Sequence, residues 1–327
     1  TVFGGPECYP LLSGLKFAEY PYVDIVIYGE AEITIKKVID SLCKNGKILP
    51  FPGTIVNING NITDCGWGEY ITDLDSLPNL GSALEVFPLE LYVKKESLPI
   101  SFNRGCLYSC KYCPRGMYPR LRCRSAENLI KEIRCLRQMY PDKHNFKVCD
   151  ASLTDNLHQL EQLCDFILSE GLTITLGGFA SPNPGLNYRL LSKIRRAGFN
   201  SFCYGVETGS ERLIHQLSKK IKIETIERVI KETFEAGINV TIDMMVGIAN
   251  ESENDFDESI NFLIRNKRYI NNVGINECAE LPYSYVFSHL DEFEIIPQEI
   301  KRDRHKRMKE LIDSLYLPEA QKFNFIA

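Results

Sequence analysis

The amino-acid sequence predicts an α/β fold, a partial (β/α)6 barrel preceded by the C-terminal part of a doubly wound domain. Three observations carry that expectation. Six strand-like runs between Leu98 and Asn276 are separated by helical patterns with apolar residues at three- and four-residue spacing. Residues 1–47 alternate strand, helix, strand, helix, the order that parallel strands with helical crossovers require. The chain has 327 residues, beyond the roughly 250–300 at which a single hydrophobic core stops growing.

The elements follow in order. Thr1-Val2-Phe3 is a short apolar run closing on Gly4-Gly5-Pro6, and it reads as entering a domain part-way. A helix is expected near 11–19, a strand over 23–28 closing on Gly29-Glu30, and a helix over 34–44. Residues 48–96 read as a connector containing a β-hairpin, because runs at 54–58 and 61–63 flank Asn59-Gly60, a pair suited to positive backbone dihedrals. The barrel is expected over 97–279, with strands at 100–103, 146–150, 173–176, 201–206, 239–246 and 272–276. Helices are expected at 126–139, 157–169, 188–197, 223–236 and 255–264. Loops after barrel strands gather at one rim, which points to Asn103, Asp150, Gly177, Glu207 and Gly247. Residues 280–327 read as a C-terminal helical extension whose charged run, Lys301 to Arg307, is expected to face solvent.

Composition narrows the function. Hydrophobic residues make up 44% and charged residues 25%, the range of a folded globular chain. A formal net charge of -5 provides no global field for nucleic acid, so none is expected as a partner. No stretch approaches the ~18 uninterrupted apolar residues of a membrane span, and no basic-then-apolar export pattern opens the chain. A cytoplasmic location is the simplest expectation.

Of twelve cysteines, nine are scattered and read as packed thiols. The other three lie in Asn103-Arg104-Gly105-Cys106-Leu107-Tyr108-Ser109-Cys110-Lys111-Tyr112-Cys113, a C-x3-C-x2-C spacing inside one loop after a strand. A [4Fe-4S] cube usually takes four cysteines, so three thiolates leave one iron open to a small molecule. The amino and carboxylate groups of S-adenosylmethionine can fill that place, and one-electron reduction then breaks a carbon-sulfur bond to give a 5'-deoxyadenosyl radical. Zinc, with Cys123 as fourth ligand, is a competing reading, as are plain buried thiols.

Cys106, Cys110, Tyr112 and Cys113 match C-x3-C-x-aromatic-C, and here the sequence resembles the radical S-adenosylmethionine superfamily over roughly residues 98–277. The resemblance implies a radical SAM barrel in which Tyr112 lies over the adenine and Asp150 or Ser152 lines the site. It also implies that Glu207, in Tyr204-Gly205-Val206-Glu207-Thr208-Gly209-Ser210, meets the ribose hydroxyls, which a carboxylate can accept in pairs. An acid placed at a helix N-terminus is the alternative account of Glu207. Gly247 and Ile248 fit the family's adenine-packing stretch, but Ala249-Asn250 stands where the family more often has proline-glycine. Lys219 and Lys220 resemble a lysine of the family pattern and receive no role.

The N-terminal piece carries a second resemblance. Phe3-Gly4-Gly5-Pro6, then Val23 to Glu32, then Leu74-Asp75-Ser76-Leu77-Pro78 look like the run joining a cobalamin-binding domain to its radical partner, and Arg122-Cys123-Arg124-Ser125 fits the same branch. This implies cobalamin as a further cofactor, with Gly4 and Gly5 admitting its nucleotide tail; a tight turn after an ordinary strand accounts for both glycines equally. Three functions stay open: cobalamin-associated methylation or other modification of an unactivated carbon, cobalamin-independent hydrogen abstraction, and a non-catalytic iron-sulfur or metal-binding protein. The first two call for an external one-electron reductant such as flavodoxin or ferredoxin. The basic run Lys111, Arg115, Arg120, Arg122 and Arg124 reads either as a binder of a substrate carboxylate or phosphate or as a solvated loop.

Overall fold

A computed structural model describes residues 1–81, 96–114 and 120–315. Among the described residues, a six-stranded sheet runs in the order β12-β11-β10-β9-β8-β5, with every neighbouring pair parallel. Its strands are β5 (Leu98–Ile100), β8 (Asn145–Val148), β9 (Thr175–Ala180), β10 (Phe199–Glu207), β11 (Asn239–Val246) and β12 (Asn272–Glu277). β5 and β12 form the two edges, the open arrangement expected of a partial barrel.

Helices return the chain between strands: α2 (Ala126–Met139), α3 (Leu157–Ser169), α4 (Tyr188–Arg196), α6 (Ile223–Glu235) and α7 (Glu253–Asn266). Ser125, Asn156, Asn187 and Ser252 each accept a backbone N–H at a helix start, which satisfies donors the helix itself leaves orphaned. The helix-facing sides of the strands form the main core. On β10, Phe202, Tyr204 and Val206 are fully buried, and the Tyr204 hydroxyl reaches Thr233 of α6 at 2.9 Å.

Two strand positions differ from expectation. The run expected at 100–103 divides: β5 starts two residues earlier, with Pro99 tolerated on an edge, and β6 (Asn103–Arg104) leaves it to pair antiparallel with β7 (Arg122–Cys123). Gly177, expected at the rim, lies inside β9. A Cβ there would come within 2.9 Å of the Ser201 carbonyl, and one at Gly178 within 2.6 Å of the Val148 carbonyl. Close strand approach therefore demands glycine at both positions, including Gly177, which read as a loop position.

The N-terminal sheet runs β1-β2-β3-β4: β1 (Val2–Phe3) is parallel to β2 (Ile25–Ile27), while β3 (Thr54–Ile58) and β4 (Asn61–Asp64) follow antiparallel. The hairpin read as part of a connector instead extends this sheet, since Val26 of β2 pairs with Ile55. Asn59 and Gly60 take φ of 53° and 86°, as the turn requires. α1 (Ala31–Asn45) ends on left-handed Gly46. The helix expected near 11–19 is two short pieces, Pro10–Gly14 and Leu15–Phe17, with a kink at Leu12.

In the C-terminal helix α8 (Gln298–Leu315) the charged run faces solvent at Arg302, Asp303, Lys306 and Arg307, and the solvent-facing reading is corrected at two positions. Lys301 and Arg304 are about 5% exposed and point into the fold. The packed-thiol expectation holds for Cys8, Cys164, Cys203 and Cys278, whereas Cys43 of α1 and Cys149, just past β8, are exposed. Among the described residues, no helix is long and apolar enough to cross a membrane.

Candidate functional site

The three clustered cysteines follow β6 and are half-buried. Their loop is suspended from three directions. Asp150, just past β8, accepts from Ser101 Oγ at 2.8 Å, Phe102 N at 3.0 Å and Asn103 N at 2.9 Å. Burial pushes its carboxyl up to about 7, against the pull of these three donors and Arg124. Asp155 accepts from Leu107 N at 2.8 Å, Lys111 N donates to Leu217 O at 3.0 Å, and Val286 N donates to Lys111 O at 3.1 Å. The loop is thus held by the β8 rim, the end of α5 (Glu211–Gln216) and the segment after β12.

Within this frame Tyr112 turns inward. Its hydroxyl donates to Glu207 Oε1 at 2.9 Å, and its ring packs on Leu213, Leu217, Met245, Ile248 and Cys278. Burial, then the charges of Glu207 and Cys110, push the phenol well up, so it is a neutral donor. Glu207 ends β10 at an irregularity in register with β11, its φ of 72° turning the carboxylate toward Tyr112. Lys219, only 6% exposed, donates to Glu207 Oε1 at 3.2 Å, to Val206 O at 3.3 Å and to Gly205 O. Sequence reasoning left Lys219 without a role. The signal available was its place three residues beyond α5, where a helix end returns toward the rim.

The loop after β11 completes the group. Ile248 is fully buried in the Tyr112 cluster. Gly247 has φ of 73° and lies under the aliphatic stem of Lys301, which any Cβ would overlap. Its N–H donates to Glu251 Oε2 at 2.7 Å, and Arg304 Nη1 reaches the same oxygen at 2.8 Å. Lys301 itself donates to Cys278 O at 2.6 Å. Asn250, standing where a glycine was looked for, adopts φ of 60°, a conformation asparagine tolerates better than other side chains. The departure from proline-glycine therefore leaves a left-handed turn in place.

Tyr112, Glu207 and Ile248 are brought together, with Gly247 beside them. Asp150 meets the backbone at the start of the cysteine loop. Ser152 is directed elsewhere, accepting from Ser181 N at 3.0 Å and lying 3.3 Å from Thr154 Oγ1. Gly4 and Gly5 follow β1 in the other sheet, where a Cβ on Gly4 would lie 3.7 Å from Ile27 O and Gly5 has φ of 115°. Cys123, the fourth donor of the zinc reading, pairs with Asn103 across the β6-β7 ribbon, and burial raises its thiol pKa. Arg122 and Arg124 are not solvated: they pair with Glu30 and Glu132. Lys111 lies 4.8 Å from the Tyr285 ring centre, and Arg115 lies outside the described residues.

The residue types suit an iron-sulfur cluster and a nucleoside, while among the described residues no three His, Cys, Asp or Glu side chains are already gathered as a metal site. Three thiols share one loop, and the aromatic residue between the second and third reaches a buried carboxylate on the central strand. Comparison with known proteins agrees. A family model described as the Radical SAM superfamily matches residues 100–263, half of the chain. An uncharacterized methyltransferase of Pyrococcus horikoshii is 24% identical over 267 residues, covering 80% of this chain and 57% of that protein. The anaerobic magnesium-protoporphyrin IX monomethyl ester cyclase of Synechocystis is 26% identical over 213 residues, covering 64% and 42%. The chain spans about half the length of the curated relatives it matches.

Among solved structures, the cobalamin-dependent S-adenosylmethionine radical enzyme OxsB aligns over 96% of this chain and 48% of its own, with TM-score 0.68 and 17% identity. The radical S-adenosylmethionine methyltransferase TsrM of Kitasatospora setae aligns over 89% and 58%, with TM-score 0.71 and 16% identity. At such identities the likeness is one of fold. The family match, the open six-stranded parallel sheet and the C-x3-C-x2-C loop lead to one conclusion: this chain belongs to the radical SAM superfamily.

Proposed function

We propose that the chain is a radical SAM enzyme in which Cys106, Cys110 and Cys113 hold a [4Fe-4S] cluster and S-adenosylmethionine is cleaved reductively beside it, in the service of cobalamin-associated methylation of an unactivated carbon. The observation that carries this reading is the 2.9 Å bond from Tyr112 to Glu207, which joins the cysteine loop to the strand end suited to a nucleoside. When bound, the cluster supplies one electron to the sulfonium, releasing methionine and a 5'-deoxyadenosyl radical.

The chain's own residues bind and orient. Tyr112 and Ile248 offer an apolar wall to the adenine, and Glu207, held by Lys219, has lone pairs left for ribose hydroxyls. Gly247 brings backbone close to that wall, and Glu251 with Arg304 fixes the turn. Asp150 and Asp155 hold the loop that bears the thiols. Ser152 stays a member of the β8 rim. The electron comes from an external donor of the flavodoxin or ferredoxin kind. Methylation is supported by relatives and structural neighbours described as methyltransferases, and cobalamin by the likeness in fold to enzymes that bind it. Gly4 and Gly5 are the positions at which the N-terminal sheet would admit a nucleotide tail.

The test is anaerobic reconstitution with iron counting, followed by assay for 5'-deoxyadenosine with a strong reductant, with and without methylcobalamin. Iron near four per chain and deoxyadenosine formation support the radical reading, and a methylated product dependent on methylcobalamin supports the transfer. Deoxyadenosine at equal rates in Cys110→Ala removes that thiol as a ligand, and deoxyadenosine without cobalamin dependence turns the reading to hydrogen abstraction alone.

A further inference from the structure

The ribbon behind the cysteine loop contains an electrostatic conflict. Arg104 of β6 and Arg122 of β7 are directly opposite each other, and like charges at opposed positions destabilise a strand pair. The ribbon is two residues per strand, too short to absorb that repulsion through ladder bonds. Just beyond it lies an isolated bridge between Cys106 and Arg120. Any force that splays the two arginines therefore opens the base of the thiol-bearing loop.

The compensating charges come from the other sheet. Glu30, which ends the turn after β2, accepts from Arg122 with both carboxylate oxygens, Nη1 at 2.9 Å, and lies 3.3 Å from Arg104 Nη1. Glu32, in the first turn of α1, takes Arg104 Nη2 at 2.5 Å. The same Arg122 donates to Ile71 O and lies 5.7 Å from the Tyr70 ring centre, while Glu30 also accepts from Ile71 N at 3.2 Å. Side-chain exposure is 11% for Arg122 and 14% for Glu30, so the pair is shielded from the solvent screening that makes surface pairs weak. Planar guanidinium forks suit this bidentate arrangement, which lysine would not reproduce.

We propose that Glu30 and Glu32 are positioning residues for the cluster, closing the Arg104-Arg122 ribbon from the N-terminal sheet so that the two sheets together set how firmly the cysteine loop holds iron. This rests on the reading of Cys106, Cys110 and Cys113 as iron ligands. Docking of the N-terminal sheet and closure of the loop are then one event, joined through two carboxylates placed two residues apart.

The test uses the full chain carrying Glu30→Gln with Glu32→Gln, in two measurements. Amide hydrogen exchange of the iron-free chain is expected to rise about tenfold across 103–106 and 120–123, with β11 and β12 amides unchanged. Release of iron from the reconstituted chain to a ferrous chelator is expected to quicken by a similar factor of about ten. Adding Arg122→Glu to that double variant turns the opposed pair from like to unlike charge, and ribbon exchange is expected to return to within about threefold of the parent. Exchange and iron release at parental rates in the double variant overturn the proposal, as does failure of Arg122→Glu to restore the ribbon. If the double variant does not fold, Arg122→Lys, which keeps the charge and loses the fork, is expected to loosen the ribbon by about threefold, and parental exchange there overturns the proposal. If no cluster assembles on the parent chain, the proposed activity fails while the exchange measurement still decides the latch.

Discussion

The Tyr112 hydroxyl donates to Glu207 Oε1 at 2.9 Å across 95 positions of sequence, so the residue before the last clustered cysteine is bonded to the end of the central strand β10. Tyr112→Phe removes one hydrogen bond and no ligand. Iron content is expected to stay at the parental value, while the dissociation constant for S-adenosylmethionine rises about 5- to 10-fold. Glu207→Ala, which also takes from Lys219 its carboxylate partner, is expected to weaken it by about 10- to 100-fold; equilibrium dialysis of the reconstituted protein measures both.

Asp150 gives a pH signature. Its folded carboxyl, pushed up to about 7 by burial, lies above the unfolded value near 4, so the folded chain binds the extra proton. The contribution to stability is full below pH ~4 and is lost as pH rises through ~7. Asp150→Asn removes that titration. Urea midpoints of the parent, relative to the variant, are expected to fall between pH 5 and pH 8.

The pair Glu251-Arg304 ties α8 to the turn after β11, and both side chains are under 7% exposed. Burial outweighs the Gly247 N–H and Arg304, leaving the Glu251 carboxyl above its ordinary range. Arg304→Met leaves that carboxylate without its cation and is expected to cost about 3–5 kcal/mol in urea denaturation. The double variant Arg304→Met with Glu251→Gln is expected to recover most of the loss, because the glutamine still accepts from Gly247 N.

Asn250 separates backbone strain from side-chain bonding. Its Oδ1 accepts from Glu294 N at 2.6 Å, a bond lost equally in Asn250→Ala and Asn250→Gly. Only alanine keeps a Cβ at φ of 60°. Asn250→Ala is expected to be less stable than Asn250→Gly by about 1–2 kcal/mol in chemical denaturation.

Much of this fold could be read from residue order, because the information is local. Helical periodicity placed α2 and α3 over 126–139 and 157–169, and Asn59-Gly60 marked its hairpin, since caps, turns and apolar spacing act within a few residues. The three thiols were legible for the same reason: they fall within the eight positions 106–113. What residue order could not reveal was each charge's partner. Glu30 lies 92 positions from Arg122, Glu251 lies 53 from Arg304, and Lys219 meets Glu207 only after a helical return. Lys301 and Arg304 read as solvated because charge usually is, and are buried because carboxylates and carbonyls from other elements meet them. Gly177 read as a loop position because tolerance of close strand approach appears only once the neighbouring strands are in place. Local patterns therefore decided the elements and the three-cysteine loop, whereas pairing of buried charge depends on distances that exist only in the folded chain.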